Sequence, residues 1–245
     1  MKNFASNQYW DTTNERQPLI EAGPKNPLRI FLESKLRPVK DLSVLEIGCF
    51  PGTFLATIGR LGYTLNGIDI SPRTETDLAP WLKEIGNKCN KIEKADIFTY
   101  GNNGEQFDLV CSFGFIEHFD KFDEIINRHV ELTKKGGKII ITTPNFKGNI
   151  QNIFHETFDK TNLLRHNVQS MDPVKWKSIL ESLGCKVTYF GWFGHFDLWR
   201  ENEPINIFKA ILGKIIFVPM RILRKLPIKN SRYYSPFCGI VAEKI

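Results

Sequence analysis

Val44-Leu45-Glu46-Ile47-Gly48-Cys49-Phe50-Pro51-Gly52-Thr53 reads as a short buried strand that breaks into a glycine-bearing turn, with a helix starting at Thr53. A turn this tight needs glycine, both for backbone freedom and so that a ligand can come close to the chain. A dinucleotide-binding fingerprint would place glycines two and five positions after Gly48. Phe50 and Thr53 stand there instead, which disfavours pyrophosphate binding. What remains is an acid near the strand's end, Glu46, followed by Gly48 and Gly52.

Outward from this turn, strands and helices alternate. Thr64 to Ile70 reads as a strand, Thr74 to Ile85 as a helix stopped by Gly86, Lys91 to Ile97 as a third strand and Phe107 to Ser112 as a fourth. Phe122, Ile125, Ile126 and Val130 keep helical spacing through Phe122 to Leu132. Gly136-Gly137 then turns into a strand over Lys138 to Thr142. Upstream, Asn26 and Pro27 open a helix to Leu36. Downstream, Pro173 to Leu183 is helical, Cys185 to Phe190 a sixth strand and Phe237 to Ala242 a seventh. The pattern predicts an α/β fold with a mainly parallel sheet covered on both faces.

The stretch from Glu46 to Gly52 resembles motif I of the class I S-adenosylmethionine-dependent methyltransferases, E-x-G-x-G-x-G. Three of its four fixed positions match, and Phe50 stands for the middle glycine. Asp69 ends the second strand, Asp96-Ile97 the third, and Phe107-Asp108-Leu109-Val110 with Glu117-His118 resembles motif IV. The resemblance covers residues 40 to 143 and is similar to the bacterial small-molecule branch. It implies a Rossmann-like three-layer sandwich whose seven-stranded, mostly parallel sheet has an antiparallel last strand, with helical and loop caps. It further implies S-adenosylmethionine as cofactor, held by Glu46, Gly48, Cys49, Phe50, Gly52, Asp69, Ile70, Asp96, Ile97, Ser112 and Phe113. Asp69 would bond the ribose hydroxyls, and Tyr9 and Trp10 resemble a leader that folds over the cofactor.

In such a sheet three segments converge on the pocket: Phe113 to Phe119, Thr143 to Ser170 and Gly191 to Ser235. Methyl transfer to a hydroxyl needs a proton acceptor, and histidine titrates closest to neutrality. His118 is the first candidate base, with a plain pocket-lining role as its alternative, and His166 is the second. Asn145, His155, Trp192 and His195 are candidate substrate contacts, and His129 is read as structural. Some quinone-pathway methyltransferases bind a divalent metal through an extra glutamate three residues before the equivalent of Glu117. Gly114 stands there, so no metal is expected.

The chain has 245 residues, 42% apolar and 24% charged, enough for one substantial domain. Expected subdivisions are a leader and helix (1–40), a cofactor-binding core (41–143), a substrate loop (144–172) and an insertion (191–235). Cys49, Cys89, Cys111, Cys185 and Cys238 are scattered without metal or disulfide spacing, as suits a reducing cytoplasm. Met1 to Tyr9 lacks the apolar core of a secretory signal. The net charge is +6, but Pro204 to Arg232 alone holds seven cations and no acid, leaving −1 for the rest.

On a helical wheel Ile207, Phe208, Ile211, Leu212, Ile215, Ile216, Val218, Ile222 and Leu223 fill one half of that segment. Lys209, Lys214, Arg221, Arg224 and Lys225 fill the other, and Pro219 interrupts it. Residues 205–226 thus suit an anionic membrane surface, a second subunit or the chain's own domain. Cations interleaved with aliphatics, and no base-recognising module, argue against nucleic acid. The expected reaction is O-methylation of a hydroxyl on a small-molecule, glycan or lipid-linked acceptor, by a cytoplasmic protein that is soluble or peripheral on the membrane's inner face. N-methylation of a small amine is one alternative. A non-catalytic, membrane-associated scaffold, its pocket spoiled by Phe50, is another.

Overall fold

A computed structural model describes residues 4–5, 7–101, 103–201, 207, 209, 211–213, 215–216, 226 and 228–245. Seven strands form one sheet: β1 (Ser43–Ile47), β2 (Thr64–Asp69), β3 (Cys89–Lys94), β4 (Phe107–Phe113), β5 (Thr133–Pro144), β6 (Cys185–Phe193) and β7 (Phe237–Lys244). Their spatial order is β3-β2-β1-β4-β5-β7-β6. The ladders from β3 to β5 are parallel, and β7 runs antiparallel to both β5 and β6. The expected sheet is therefore the observed one. The chain leaves β1 toward β2 and β3, then returns to β4 on β1's other side. At that reversal the loops after β1 and β4 diverge and leave a crevice at the strands' carboxyl ends.

Both faces are covered because consecutive strand residues point oppositely. Leu45, Ile47, Val110, Ile139 and Ile141 join a core with Ile125, Ile126 and Val130 of α5 (Phe122–Leu132) and Trp176 and Leu180 of α8 (Pro173–Ser182). Their neighbours Val44, Leu109, Cys111 and Ile140 face the other way. They meet Phe31 and Leu32 of α2 (Pro27–Lys35), Leu55 and Ile58 of α3 (Thr53–Gly59), and Leu82 of α4 (Ala79–Glu84). Asn26 caps α2, accepting from the N–H groups of Leu28 and Arg29, worth about 1 kcal/mol.

Several boundaries differ from expectation. The helix expected from Thr74 opens with a π-helical turn, Thr74–Leu78, and Pro80 sits in the first turn of α4 behind it. Pairing of β5 jumps from Phe107↔Thr133 to Leu109↔Lys138, so Gly136 and Gly137 turn ahead of the main ladder. Three helices were not anticipated: α1 (Asn7–Arg16), α6 (Asn149–Phe158) and α7 (Lys160–Leu164). Helix α1 is polar on most sides and carries no apolar period to read. Helix α6 does carry one, in Ile150, Phe154 and Phe158.

Most of the stretch 205–226 lies outside the described residues. Within it, residues 207, 209, 211–213, 215 and 216 are helical. Leu212 and Ile216 pack against Phe154, Phe158 and Leu198, whereas Ile207, Ile211 and Ile215 are exposed. The single apolar face of the helical wheel is thus split between the chain's own domain and solvent. No described helix is long and apolar enough to cross a membrane.

Candidate active site

A cavity of about 270 Å³ opens at the crevice between the ends of β1 and β4. Ile47, Gly48, Phe50 and Pro51 come from the loop after β1, and Ile68, Asp69 and Ile70 from the end of β2. Ala95, Asp96, Ile97 and Phe98 follow β3, and Phe113, Gly114, Phe115, His118 and Phe119 follow β4. Gly48 and Gly52 both hold left-handed backbone, φ +73 and +84. A Cβ on Gly48 would lie 2.4 Å from Phe115 Cδ2, and one on Gly52 2.2 Å from Leu78 Cδ1. Neither position admits a side chain without displacing a wall of the cavity or of the core beneath it.

Asp69 ties this loop to the sheet. Its Oδ2 accepts the Phe50 N–H at 3.1 Å and its Oδ1 the Ser71 N–H at 2.8 Å. Burial raises its carboxyl above the ordinary range, with those backbone donors pulling the other way. Glu46 is 3% exposed and leaves Oε2 without a partner. Burial, and then the nearby Asp69, push its carboxyl well up. An orphaned buried carboxyl oxygen beside a cavity, paired with an acid already fixed for hydrogen bonding, fits a ligand that brings a cation and hydroxyls. The Phe50 ring lies in the second core, with the Arg73 guanidinium 5.1 Å from its centroid. The missing middle glycine therefore leaves the cavity formed.

Seven of the eleven expected cofactor residues line the cavity: Gly48, Phe50, Asp69, Ile70, Asp96, Ile97 and Phe113. Glu46, Cys49 and Gly52 sit behind the wall. Ser112 points into the core, where its Oγ is 2.9 Å from His129 Nε2. His129 Nδ1 lies 2.8 Å from the Ile125 carbonyl, so this histidine is structural, as expected.

Glu117 and His118 form a 3-10 turn after β4, and His166 follows α7. Two backbone-anchored bonds hold these segments together. The Asn167 N–H donates to the Glu117 carbonyl at 2.7 Å, and Asn167 Nδ2 to the Phe119 carbonyl at 3.0 Å. The rings of His118 and His166 lie 4.7 Å apart, with Trp10 of α1 edge-on to His118 at 4.8 Å. His118 Nδ1 is 3.1 Å from the Arg165 carbonyl and His166 Nδ1 2.6 Å from the Asn162 carbonyl. A carbonyl only accepts, so each Nδ1 carries the proton and each Nε2 presents a lone pair. Burial holds His118 down at about 4, against support from the Arg165 and Gly114 carbonyls. Burial, then the neighbouring His118, hold His166 at about 3. Both rings are neutral near pH 7.

The four candidate substrate contacts lie away from this cavity. Asn145 is buried and spends its Nδ2 on the carbonyls of Arg232 and Ser235, anchoring the run into β7. His155 is buried beside Asp159, Nδ1 to Oδ2 2.9 Å, and packs on Phe146. Trp192 pairs with Cys238 between the two last strands and packs on the core. His195 is exposed, Nδ1 3.0 Å from the Ile228 carbonyl. Their segments leave the sheet at the cavity's end, but a segment's direction does not fix where each side chain points.

Helix α1 closes the cavity from the side through Trp10, and Asn14 with Gln17 just beyond the helix completes the wall. Arg73 holds this region by donating to the carbonyls of Asn14, Glu15 and Gln17. Asn14, Gln17, Ala95, Phe98, Phe115 and Phe119 carried no motif that would have singled them out.

A family profile described as "Methyltransferase domain" matches residues 15–189. A ubiquinone biosynthesis O-methyltransferase of Thiobacillus denitrificans is 28% identical over 141 residues, covering 57% of this chain and 59% of the relative. The mitochondrial enzyme of that name from Rattus norvegicus is 25% identical over 232 residues, covering 82% and 64%. The chain thus spans less than two thirds of the length of these relatives. Among solved structures, a SAM-dependent methyltransferase from Archaeoglobus fulgidus has a TM-score of 0.58 at 23% identity, covering 91% of this chain and 95% of that one. Magnesium protoporphyrin IX methyltransferase from Synechocystis with bound SAH gives 0.56 at 14%, covering 89% and 80%. At these identities the structures show a shared fold.

Proposed function

The chain belongs to the class I S-adenosylmethionine-dependent methyltransferase family, and on that premise we propose that it methylates a hydroxyl oxygen of a small-molecule acceptor. The observation that carries the reading is the cavity at the β1/β4 reversal, which gathers the glycine loop, Asp69, Asp96-Ile97 and the neutral His118 around one space. When bound there, S-adenosylmethionine supplies an electrophilic sulfonium methyl. Asp69 would hold hydroxyls of its ribose, and Glu46 would answer its cationic amino-acid end. Asp96 and Ile97 would meet the adenine.

His118 would receive the acceptor's proton. It lines the cavity, it is neutral, and its Nε2 carries the lone pair. The ring is fixed through the Arg165 carbonyl, so it need not reorient, and a base held this way contributes about 10²–10⁴-fold in rate. Trp10 and Phe119 line that side of the cavity. The relatives' names supply the O-methyl assignment and an acceptor of the kind processed in ubiquinone biosynthesis. The test is transfer of labelled methyl from S-adenosylmethionine to hydroxylated aromatic acceptors. His118→Ala is expected to lower kcat at least about tenfold with S-adenosylhomocysteine binding retained. If neither His118→Ala nor His166→Ala slows turnover, both base assignments fail.

A second surface supports contact with an anionic membrane. Ile207, Ile211 and Ile215 are exposed in a row of i, i+4 spacing, within a stretch that carries seven cations and no acid. Helix α6, on which this helix rests, exposes Ile150 and Ile153 as well. Sedimentation with anionic vesicles, lost in Ile211→Glu, is the expected result. Failure of the intact chain to bind such vesicles removes this reading, and concentration-dependent dimerisation abolished by the same substitution would assign the face to a second copy.

A further inference from the structure

We propose that Gln151, His155, Asp159 and Trp199 form a second binding site, for a neutral, hydroxyl-rich ring such as a hexopyranose, carried by the methyl acceptor. Gln151, His155 and Asp159 follow one another at i, i+4 and i+8 along α6 and its C-terminal cap, so they share one face of the helix. All three are at most 1% exposed, while Ile150 and Ile153 of the same helix are 40% and 67% exposed. A surface helix ordinarily buries its apolar stripe and shows its polar one. Beside Phe154 and Phe158, which it also buries, α6 turns a polar row inward.

That row is only partly satisfied. Gln151 Nε2 donates to the carbonyls of Asp197 and Tyr234, both at 2.6 Å, which leaves Oε1 without a partner. His155 Nδ1 donates to Asp159 Oδ2 at 2.9 Å and leaves Nε2. Asp159 Oδ2 also accepts from Asn162 Nδ2 at 2.8 Å, and Oδ1 is left. The Trp199 ring stands 5.4 Å from that of His155, and its buried Nε1–H has no acceptor among the described residues. Native proteins leave few buried polar atoms unpaired, and here four belong to one helix face and the ring beside it.

Three of the four atoms are acceptors and the fourth is a donor. A hydroxyl donates and accepts at once, so a ring bearing several hydroxyls satisfies all four, whereas an ammonium group leaves the Trp199 N–H unanswered. Phe146, 3.9 Å from His155, and Trp199 offer aromatic faces to the C–H surface of such a ring. Burial pushes the Asp159 carboxyl up, but the bonds from His155 and Asn162 hold it below the ordinary range. An ionised carboxylate there repels carboxylated and phosphorylated rings. Trp199 is the half-buried member of the set, so a ligand enters beside it. Toward the cavity, the rings of His155, Phe146, His166 and His118 follow one another at 3.9, 5.0 and 4.7 Å. The site thus lies two rings from the proposed base. Its assignment to the methyl acceptor rests on the methyltransferase reading, whereas binding of the ring does not.

The full chain, saturated with S-adenosylhomocysteine, is titrated with the α-methyl glycosides of glucose, galactose and mannose and followed by saturation-transfer NMR. The expected result is saturable binding of at least one glycoside, with its uronic acid counterpart at least about tenfold weaker. Trp199→Phe removes a donor that bonds nothing in the protein. Asp159→Asn keeps an oxygen for His155 and Asn162 but turns the remaining acceptor into a donor. Each should weaken glycoside binding at least about fivefold, and unchanged circular dichroism would show both variants folded. A set filled only by ordered water binds none of the glycosides, and that result overturns the proposal. So does binding unaltered in both folded variants, or catechol displacing the glycoside at lower concentration than the glycoside itself. Failure to bind S-adenosylhomocysteine would undo the methyltransferase reading and leave the glycoside titration standing.

Discussion

Removing the Asp69 carboxylate should weaken cofactor binding by about two orders of magnitude. An ionised carboxylate offers roughly four acceptor sites, and the N–H groups of Phe50 and Ser71 take two of them. Two remain on a side chain that lines the cavity. Hydrogen bonds to a charged group are each worth about 1.5–3 kcal/mol. Burial raises the Asp69 carboxyl, which argues for the low end of that range. Two such bonds then contribute about 3 kcal/mol, or roughly 150-fold in Kd. The assay is calorimetric titration with S-adenosylhomocysteine, which binds without turnover. Asp69→Asn serves as a volume-matched partner to Asp69→Ala. It keeps one acceptor oxygen but sets an amide against a backbone donor, so an intermediate loss is expected. A folded Asp69→Ala variant that binds within about threefold of the unmodified protein would refute the assignment of Asp69 to the ribose hydroxyls.

The protein should lose stability as pH falls from about 6.5 toward 4. His118 and His129, both at about 4, and His166, at about 3, refuse protons that the unfolded chain accepts in that window, at about 1.4 kcal/mol per unit each before coupling. Glu117 works in the opposite sense. Held at about 8 by burial, it makes stability decline as pH rises from 4.5 to 8, and Glu117→Gln should flatten the alkaline part of the melting profile. Gly48→Ala should lower the melting midpoint by at least about 2 °C and weaken S-adenosylhomocysteine binding, because the new methyl displaces Phe115; an unchanged midpoint would contradict the close approach. Arg73→Ala should speed hydrogen exchange across α1 and hasten S-adenosylhomocysteine release, since the carbonyls of Asn14, Glu15 and Gln17 lose their shared donor; equal exchange would deny that latch a role.

The alternation of strands and helices, and the acids at strand ends, were legible in the chain itself. Val44 to Ile47 or Phe107 to Ser112 announce themselves by unbroken apolar character, and Asp69 and Asp96 follow from where those runs stop. Because ligands of such sheets bind at strand ends, local pattern was enough to find seven of the residues that line the cavity. It failed for Ser112, Asn145 and His155, whose segments run toward the pocket while their side chains turn into the core. Alternation of side chains across a strand, or around a helix, leaves that choice to packing.

The pairing of His166 with His118 was equally invisible, although both were candidate bases individually. Forty-eight positions separate them, and what joins them is Asn167 bonding the backbone of another loop. The sequence by itself determined which end of the sheet binds and which acids wait there, since strand length and strand termination are local properties. Only the tertiary structure decided that Glu117 would be buried unpaired beside two imidazoles, because that arrangement depends on two loops being drawn together by hydrogen bonds that no local pattern records.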